Sequence, residues 1–358
     1  MPRPLRVVHL PVYRDNAYQP LLLAALARRG IEVLDGGGGG TFLRTALTRW
    51  KPDAVHFHWL HPYMIRPTAL GTLARGVRLV LEVALLRLVG VRIVWTLHNL
   101  HNHDRAHVRL ERWLTRLFVR LTDRVIAHCP TAERLGRAAF SDRRRGRWVT
   151  IPHGNYVGCY ADELGRPAAR AQLGLPADEL VVLFFGRIQP YKGVLDLIAA
   201  FRAAALPGAR LVIAGRPADA DADRVVAAAA AGCAAIVYRP GFVPDDGVQI
   251  LMRAADAVAL PFRDVLTSGS VLLAMSFGRA VIAPALGCVP ETVADGHDLL
   301  YRPDDPDGLR AALTAAADRR AELPAIGAAN FRRVAHDTWD AVAERTADEY
   351  RCALGTDR

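Results

Sequence analysis

The sequence predicts an α/β protein made of two doubly wound domains, each with a parallel sheet covered by helices on both faces. Three observations carry this expectation. Short apolar runs near residues 5–10, 31–34, 53–58, 91–96 and 123–127 are separated by longer segments, several with helical periodicity. A second alternation runs near 180–185, 210–214, 235–238, 257–260 and 280–283, and strand–helix alternation of this kind implies parallel sheets. The 358 residues are enough for two full cores. The pattern breaks around 156–173, at Gly158-Cys159-Tyr160 and Arg166-Pro167. The expected domains are therefore 1–160 and 170–335, followed by a terminal segment 336–358.

Taken in order, the first strand, Val7 to Leu10, follows a short Pro-Arg-Pro-Leu-Arg lead with no visible targeting signal. A polar loop from Arg14 to Pro20 precedes a helix over Leu21 to Arg28. Gly36 to Gly40 reads as a loop without a phosphate-binding fingerprint, since no helix-opening spacing follows. Leu70 to Val94 is very apolar, yet Arg75, Arg78, Glu82, Arg87 and Arg92 leave no uncharged run near the ~18 residues of a membrane-crossing helix. It reads as a helix packed on the sheet, ending at Gly90 before a strand. Any exposed part of it could dip into a membrane interface, with its arginines snorkelling. Arg105, Arg109, Arg112, Arg116 and Arg120 recur every three or four residues and predict one basic helix face, with Leu110, Leu114, Leu117, Phe118 and Leu121 on another.

The most specific chemistry lies in the second half. Only two lysines accompany 44 arginines, and one of them, Lys192, sits in Gly186-Arg187-Ile188-Gln189-Pro190-Tyr191-Lys192-Gly193. The run Leu180 to Phe185 reads as a buried strand, Gly186 as a turn, and a helix is expected from about Gly193. Two cations at a strand-to-helix turn suit an anionic ligand over the carboxyl end of a parallel sheet. An ammonium and a guanidinium do different work on a diphosphate, so the retained lysine implies a specific role. A second segment, Thr267-Ser268-Gly269-Ser270, opens an apolar helix and presents free N–H groups and the positive dipole end. The two together describe a diphosphate held from two sides.

With Ala214-Gly215-Arg216, Gly241-Phe242-Val243 and Pro290-Glu291, these motifs resemble the nucleotide-sugar half of GT-B glycosyltransferases of the glycogen-synthase-like "group one" class. Val94-Trp95-Thr96-Leu97-His98-Asn99 and Ile151-Pro152-His153-Gly154 extend the likeness to the first half. The resemblance implies two Rossmann-like domains facing a cleft and a terminal helix returning to the first domain. It also implies transfer of a hexose from a UDP- or GDP-linked donor, with Arg187 and Lys192 on the diphosphate and Arg216, Phe242 and Val243 near the base. Gly186, Ser268, Gly269, Ser270 and Glu291 complete the implied donor site. The two glutamates usual in that class would fall at Val265 and Leu273, neither ionisable, so its usual retaining mechanism does not carry over. The loop Asn16-Ala17-Tyr18-Gln19 and the Ser-Gly-Ser helix start are similar to a subset of bacterial exopolysaccharide and glycolipid transferases. That likeness places Asn16, Tyr18, Gln19 and His153 on the acceptor side. Two alternatives are a nucleotide-sugar epimerase on the same fold and a non-catalytic scaffold subunit.

For the acceptor hydroxyl an inverting enzyme needs a base, and His98, Asp15 and Asp104 are the candidates, with His103 nearby. No metal is expected, because Arg187, Lys192 and a helix terminus can neutralise the leaving group and no Asp-x-Asp has a suitable context; Asp219-Ala220-Asp221 reads as a helix cap. His56, His58 and His61 have a metal-like look, yet His56 and His58 alternate on a strand, so they read as cleft-lining or structural. Five cysteines without paired or metal-type spacing predict reduced thiols and a cytoplasmic protein. Residues 1–160 hold 25 basic and 10 acidic side chains, a net of +15, and the remainder 21 and 26, a net of −5. This asymmetry predicts an anionic partner for the first half. The basic face reads either as a solvated surface or as a contact for an anionic membrane at the inner face, with a lipid-linked, oligosaccharide or small-molecule acceptor; nucleic acid ranks below both, since no recognition motif is present.

Overall fold

The computed structural model describes residues 3–14, 16–37, 51–102, 104–293 and 299–355. The chain divides into two compact units, Met1–Gly154 with Asp337–Arg358, and Asn155–His336. Each is built on a six-stranded, wholly parallel sheet.

In unit 1 the strands are β1 Arg6–Leu10, β2 Glu32–Asp35, β3 Ala54–Phe57, β4 Arg92–Leu97, β5 Arg124–Ala127 and β6 Trp148–Thr150, in spatial order β2-β1-β3-β4-β5-β6. β-Branched and aromatic residues fill the central strands, and Val7, Val8, Ala54, Val55, Ile93 and Val94 are fully buried, as expected for strands covered on both faces. The helix Ala69–Leu88 is capped by the Thr68 side chain on Gly71 N and closes before Gly90, whose φ of +87° turns the chain into β4. It packs on the helix Val108–Leu121, so closely that a methyl on Gly76 would lie 2.2 Å from the Leu114 side chain. Arg105 falls before that helix, at φ +52°, and so does not continue the predicted arginine face. The terminal helix Trp339–Leu354 packs on the helix Tyr18–Arg28 and on β4 through Val342, Ala343, Ala347 and Tyr350. Arg28–Asp340 and Arg29–Glu344 pairs lie along its exposed edge.

In unit 2 the strands are β7 Leu180–Phe185, β8 Ala209–Gly215, β9 Ile236–Pro240, β10 Ala257–Ala259, β11 Ala280–Pro284 and β12 Leu300–Tyr301, in order β12-β11-β10-β7-β8-β9. Strand order therefore reverses between β7 and β10, giving the arrangement of a dinucleotide-binding sheet. Buried Asp256 ties the helix Arg166–Leu173 to this sheet, accepting from Arg170 at 2.7 Å, from Arg166 and from Val181 N. Asp219 caps the helix Ala220–Ala230 on Ala222 N at 2.8 Å, the role its sequence context indicated.

The sequence reading missed β6 and β12, which have three and two residues. Such short runs carry too little alternation to register. Cys159, Cys233 and Cys352 are free thiols. Among the described residues no helix is long and apolar enough to cross a membrane.

Candidate functional site

In unit 2 the loops after β7 and β10 leave the sheet side by side at its reversal point, where ligands of doubly wound sheets bind. Gly186 follows β7 at φ +128°, a conformation side chains rarely adopt. A methyl placed on it would lie 3.1 Å from Lys192 Nζ and 3.4 Å from Ser270 Oγ. An ammonium from one loop and a hydroxyl from the other thus converge over bare backbone. Gly193, at φ +67°, is pressed so tightly on the second loop that a Cβ would lie 2.1 Å from the Pro261 carbonyl oxygen. Arg263 N donates to Tyr191 O at 2.7 Å, and the Arg263 guanidinium grips Asp196 with two 2.7 Å bonds.

Ser268 Oγ accepts from Val271 N at 3.3 Å and starts the helix Gly269–Ser276. The earlier N–H groups, of Gly269 and Ser270, have no partner within the helix and face its N-terminal side. Burial, with Arg187 nearby, lowers the Lys192 ammonium to about 8. Among the described residues no carboxylate pairs with Arg187 or Lys192. Lys192 and the exposed Arg187 thus set two cations near a helix start, an electropositive edge of the sheet. Arg216, Phe242 and Val243 lie past the ends of β8 and β9, on the far side of β7 from Ser270. Arg216 and Phe242 are exposed. Glu291 is exposed on the short helix Val289–Thr292. Leu273 is buried in the core and Val265 is half-buried, so neither position can offer a charge to a ligand.

Unit 1 holds a second polar centre. His9 on β1, His56 on β3, and His58, His98, His128 and His153 just beyond β3, β4, β5 and β6 are all buried. Parallel register sets His9 beside His56. Thr96 Oγ1 meets His56 Nε2 at 2.7 Å, and His56 Nδ1 meets Tyr350 Oη at 2.7 Å. Tyr350 Oη meets His9 Nε2 at 3.2 Å, His9 Nδ1 meets His58 Nε2 at 2.9 Å, and His58 Nδ1 meets His98 Nε2 at 3.2 Å. Desolvation brings His9 down to about 3, His153 to about 3 and His128 to about 4, and holds His56, His58 and His98 well below the usual imidazole range.

All six rings are therefore neutral near pH 7, and each junction of the chain holds one proton. When His98 Nε2–H donates to His58, the remaining ring nitrogen of His98 keeps a lone pair. His98 is further fixed by stacking on Trp59, at 4.4 Å between ring centres, and by the edge of Tyr18 at 4.8 Å. A small cavity bordered by Trp59, Asn99, His101 and Glu111 lies beside it.

His9, His56 and His58 also present nitrogen atoms within 4.8 Å of one another. Every ring nitrogen of the three is already hydrogen-bonded, and His56 stacks on His58 at 4.3 Å. Their lone pairs run side by side instead of meeting at a point, so a hydrogen-bonded chain describes them better than a ligand set. His61 opens a short separate helix and is not part of the group.

Of the other first-half candidates, Asp15 and His103 lie outside the described residues. Asp104 is exposed. Asn16 Oδ1 accepts from Tyr18 N at 3.1 Å. Tyr18 is buried among His98, His128, His153 and Trp339, and His153 pairs with its neighbour's carbonyl at Gly154. Gln19 is fully buried, with its oxygen on Tyr13 N and its amide on Pro11 O, both 2.6 Å. Both ends of that side chain hold the loop. His9, His128, Thr96 and Tyr350 were missed. The signal was available as a histidine at or just past the carboxyl end of five strands of one sheet.

Two Rossmann-like units with an electropositive switch point define the GT-B architecture, and comparison with known proteins agrees. Residues 179–319 match the family "Glycosyl transferases group 1". The chain is 32% identical over 255 residues to a GDP-mannose:glycolipid 4-beta-D-mannosyltransferase of Xanthomonas campestris pv. campestris, covering 70% of this chain and 67% of that protein. It is 35% identical over 204 residues to a D-inositol 3-phosphate glycosyltransferase of Mycobacterium tuberculosis, covering 53% of this chain and 41% of the relative. Among solved structures it superposes on a sucrose-phosphate synthase from Thermosynechococcus elongatus with a TM-score of 0.78, at 19% identity, over 99% of this chain and all of that one. Anabaena HepE in complex with UDP and glucose gives 0.72 at 18% identity, over 96% and 98% of the two chains. The chain belongs to the group 1 glycosyltransferases.

Proposed function

We propose that this glycosyltransferase moves mannose from GDP-mannose to a hydroxyl of a glycolipid, with inversion and without a metal ion. The observation that carries the reading is the convergence of Lys192 Nζ and Ser270 Oγ over Gly186 at the strand-order reversal. The 32% identity to a GDP-mannose-dependent glycolipid mannosyltransferase supports the donor and the acceptor class. In the proposed step the acceptor oxygen attacks the anomeric carbon as its O–H bond breaks. The bond from that carbon to the diphosphate oxygen breaks, and its electron pair leaves on the diphosphate. Lys192, Arg187 and the start of the helix Gly269–Ser276 stabilise that charge. His98 is the proposed base, its second ring nitrogen taking the hydroxyl proton to leave an imidazolium whose Nε2–H donates to His58; Asp104 and Asp15 are the alternatives. Arg216, Phe242, Val243 and Glu291 are proposed around the base and sugar, and Asn16, Tyr18 and His153 shape the acceptor side.

Val265 and Leu273 support an inverting outcome, because no carboxylate occupies either position of the glutamate pair. The test is mass-spectrometric and NMR analysis of products from a panel of GDP- and UDP-sugars with lipid-linked mono- and oligosaccharides. A β-mannosylated glycolipid formed from GDP-mannose is expected. Transfer only from a UDP-sugar, or only to water-soluble acceptors, would overturn the donor or acceptor assignment. Epimerised donor without transfer would overturn the reaction class.

A further inference from the structure

The helix Ala69–Leu88 packs one side into unit 1 through Leu79, Val83 and Leu86. Its opposite side carries Leu70, Leu73, Val77, Leu81, Leu85 and Leu88, spaced three or four residues apart. Their exposures run from 37% to 82%. At 1.5 Å per residue this apolar stripe extends for roughly 27 Å, far more than scattered surface leucines produce.

The neighbouring helix Val108–Leu121 presents Arg109, Arg112, Arg116 and Arg120 on one face, together with Trp113, which is 47% exposed. Arg109 and Arg120 are open to solvent, while Arg112 and Arg116 are half-buried, with Arg116 bonded to Ala139 O. Neither helix shows an exposed carboxylate. Glu82, the one acid of the first, is buried against Arg78, and Glu111, the one acid of the second, is buried against Asn102.

We infer that these two helices form a monotopic membrane face, in which the leucine stripe of Ala69–Leu88 lies in the plane of an anionic bilayer and inserts below the headgroups while Arg109, Arg120 and Trp113 sit at headgroup level. This deepens the glycolipid reading by naming the surface that meets the acceptor's membrane. The charge pattern selects the occupant. A second copy of the chain would bring like-charged arginines together, whereas an acidic lipid surface complements them. An aromatic beside the cations and a continuous apolar face are the composition of an interfacial helix. Arg75, Arg78 and Arg87 flank the stripe and exclude a spanning orientation.

The experiment is sedimentation of the full chain with phosphatidylcholine vesicles, with and without about a third phosphatidylglycerol, at low and high salt. Wild type should bind the anionic vesicles and retain part of that binding at high salt, since insertion is not screened. Leu81→Glu with Leu85→Glu should lower partitioning at least tenfold at any salt. Leu73→Gln with Leu88→Gln should do the same without added charge. Arg109→Gln with Arg120→Gln should remove the preference for anionic lipid and leave the high-salt remainder. Wild type that ignores anionic vesicles, or leucine variants that bind as wild type does, would overturn the proposal. So would a solution dimer that the leucine variants dissociate. GDP affinity, read in parallel by calorimetry, belongs to the unit 2 site and should not change in any variant. A failure of the surface is thereby distinguishable from a failure of the donor assignment.

Discussion

Acidification should unfold unit 1 before ordinary carboxylate titration begins. Six histidines, His9, His56, His58, His98, His128 and His153, are buried and neutral, with pKa values of about 4 or below wherever a value is set. In the unfolded chain each titrates near 6.5. A depressed folded-state pKa means that the unfolded state binds more protons as pH falls below 6.5. Stability fully present above that pH is then lost progressively toward pH 4. At pH 5 each of His9, His128 and His153 favours the unfolded state by about 2 kcal/mol, about 6 kcal/mol for the three, and His56, His58 and His98 act in the same direction. That is comparable with the whole stability of a typical domain, about 5–15 kcal/mol. Urea unfolding followed by near-UV circular dichroism at half-unit steps from pH 7.5 to 5 reads this directly. The expected slope approaches the uptake of several protons, with loss of the unit 1 signal between pH 6 and 5. A flat profile, or an uptake of one proton or less, would refute the neutral buried cluster.

Further outcomes follow from single groups. Tyr350→Phe should cost about 1–3 kcal/mol, because His56 Nδ1 and His9 Nε2 lose their shared partner in a buried site, read as a lower urea midpoint at pH 7.5. Gly193→Ala should cost upwards of about 2 kcal/mol and impair nucleotide binding, since it meets both a left-handed backbone and the Pro261 carbonyl. Activity should persist in excess EDTA; complete loss, restored by manganese or magnesium, would show that a metal assists the leaving group.

Most of the fold was legible in the sequence because parallel strands buried on both faces are continuous apolar runs, as in Leu180 to Phe185. The proposed donor loops were legible for the same reason: Gly186, Lys192 and the Ser268 start flank recognisable strands. The histidine chain was not. Each histidine looks ordinary within its own strand, and only register and strand order bring His9, His56 and His98 together with Tyr350, which lies some 340 residues from His9. The arginine periodicity of residues 105–120 ran past the true start of the helix, because periodicity alone does not mark a cap.

The central claim is that the loops after β7 and β10 hold the donor diphosphate, and titration calorimetry of GDP against wild type and Lys192→Met tests it most directly. Removing a charge-assisted bond of about 1.5–3 kcal/mol should raise the dissociation constant at least tenfold while the melting curve stays unchanged. The wild-type affinity should also fall as pH rises through about 8, where the Lys192 ammonium deprotonates. Equal GDP affinity in the two proteins, with no pH dependence between 7 and 9, would contradict the account.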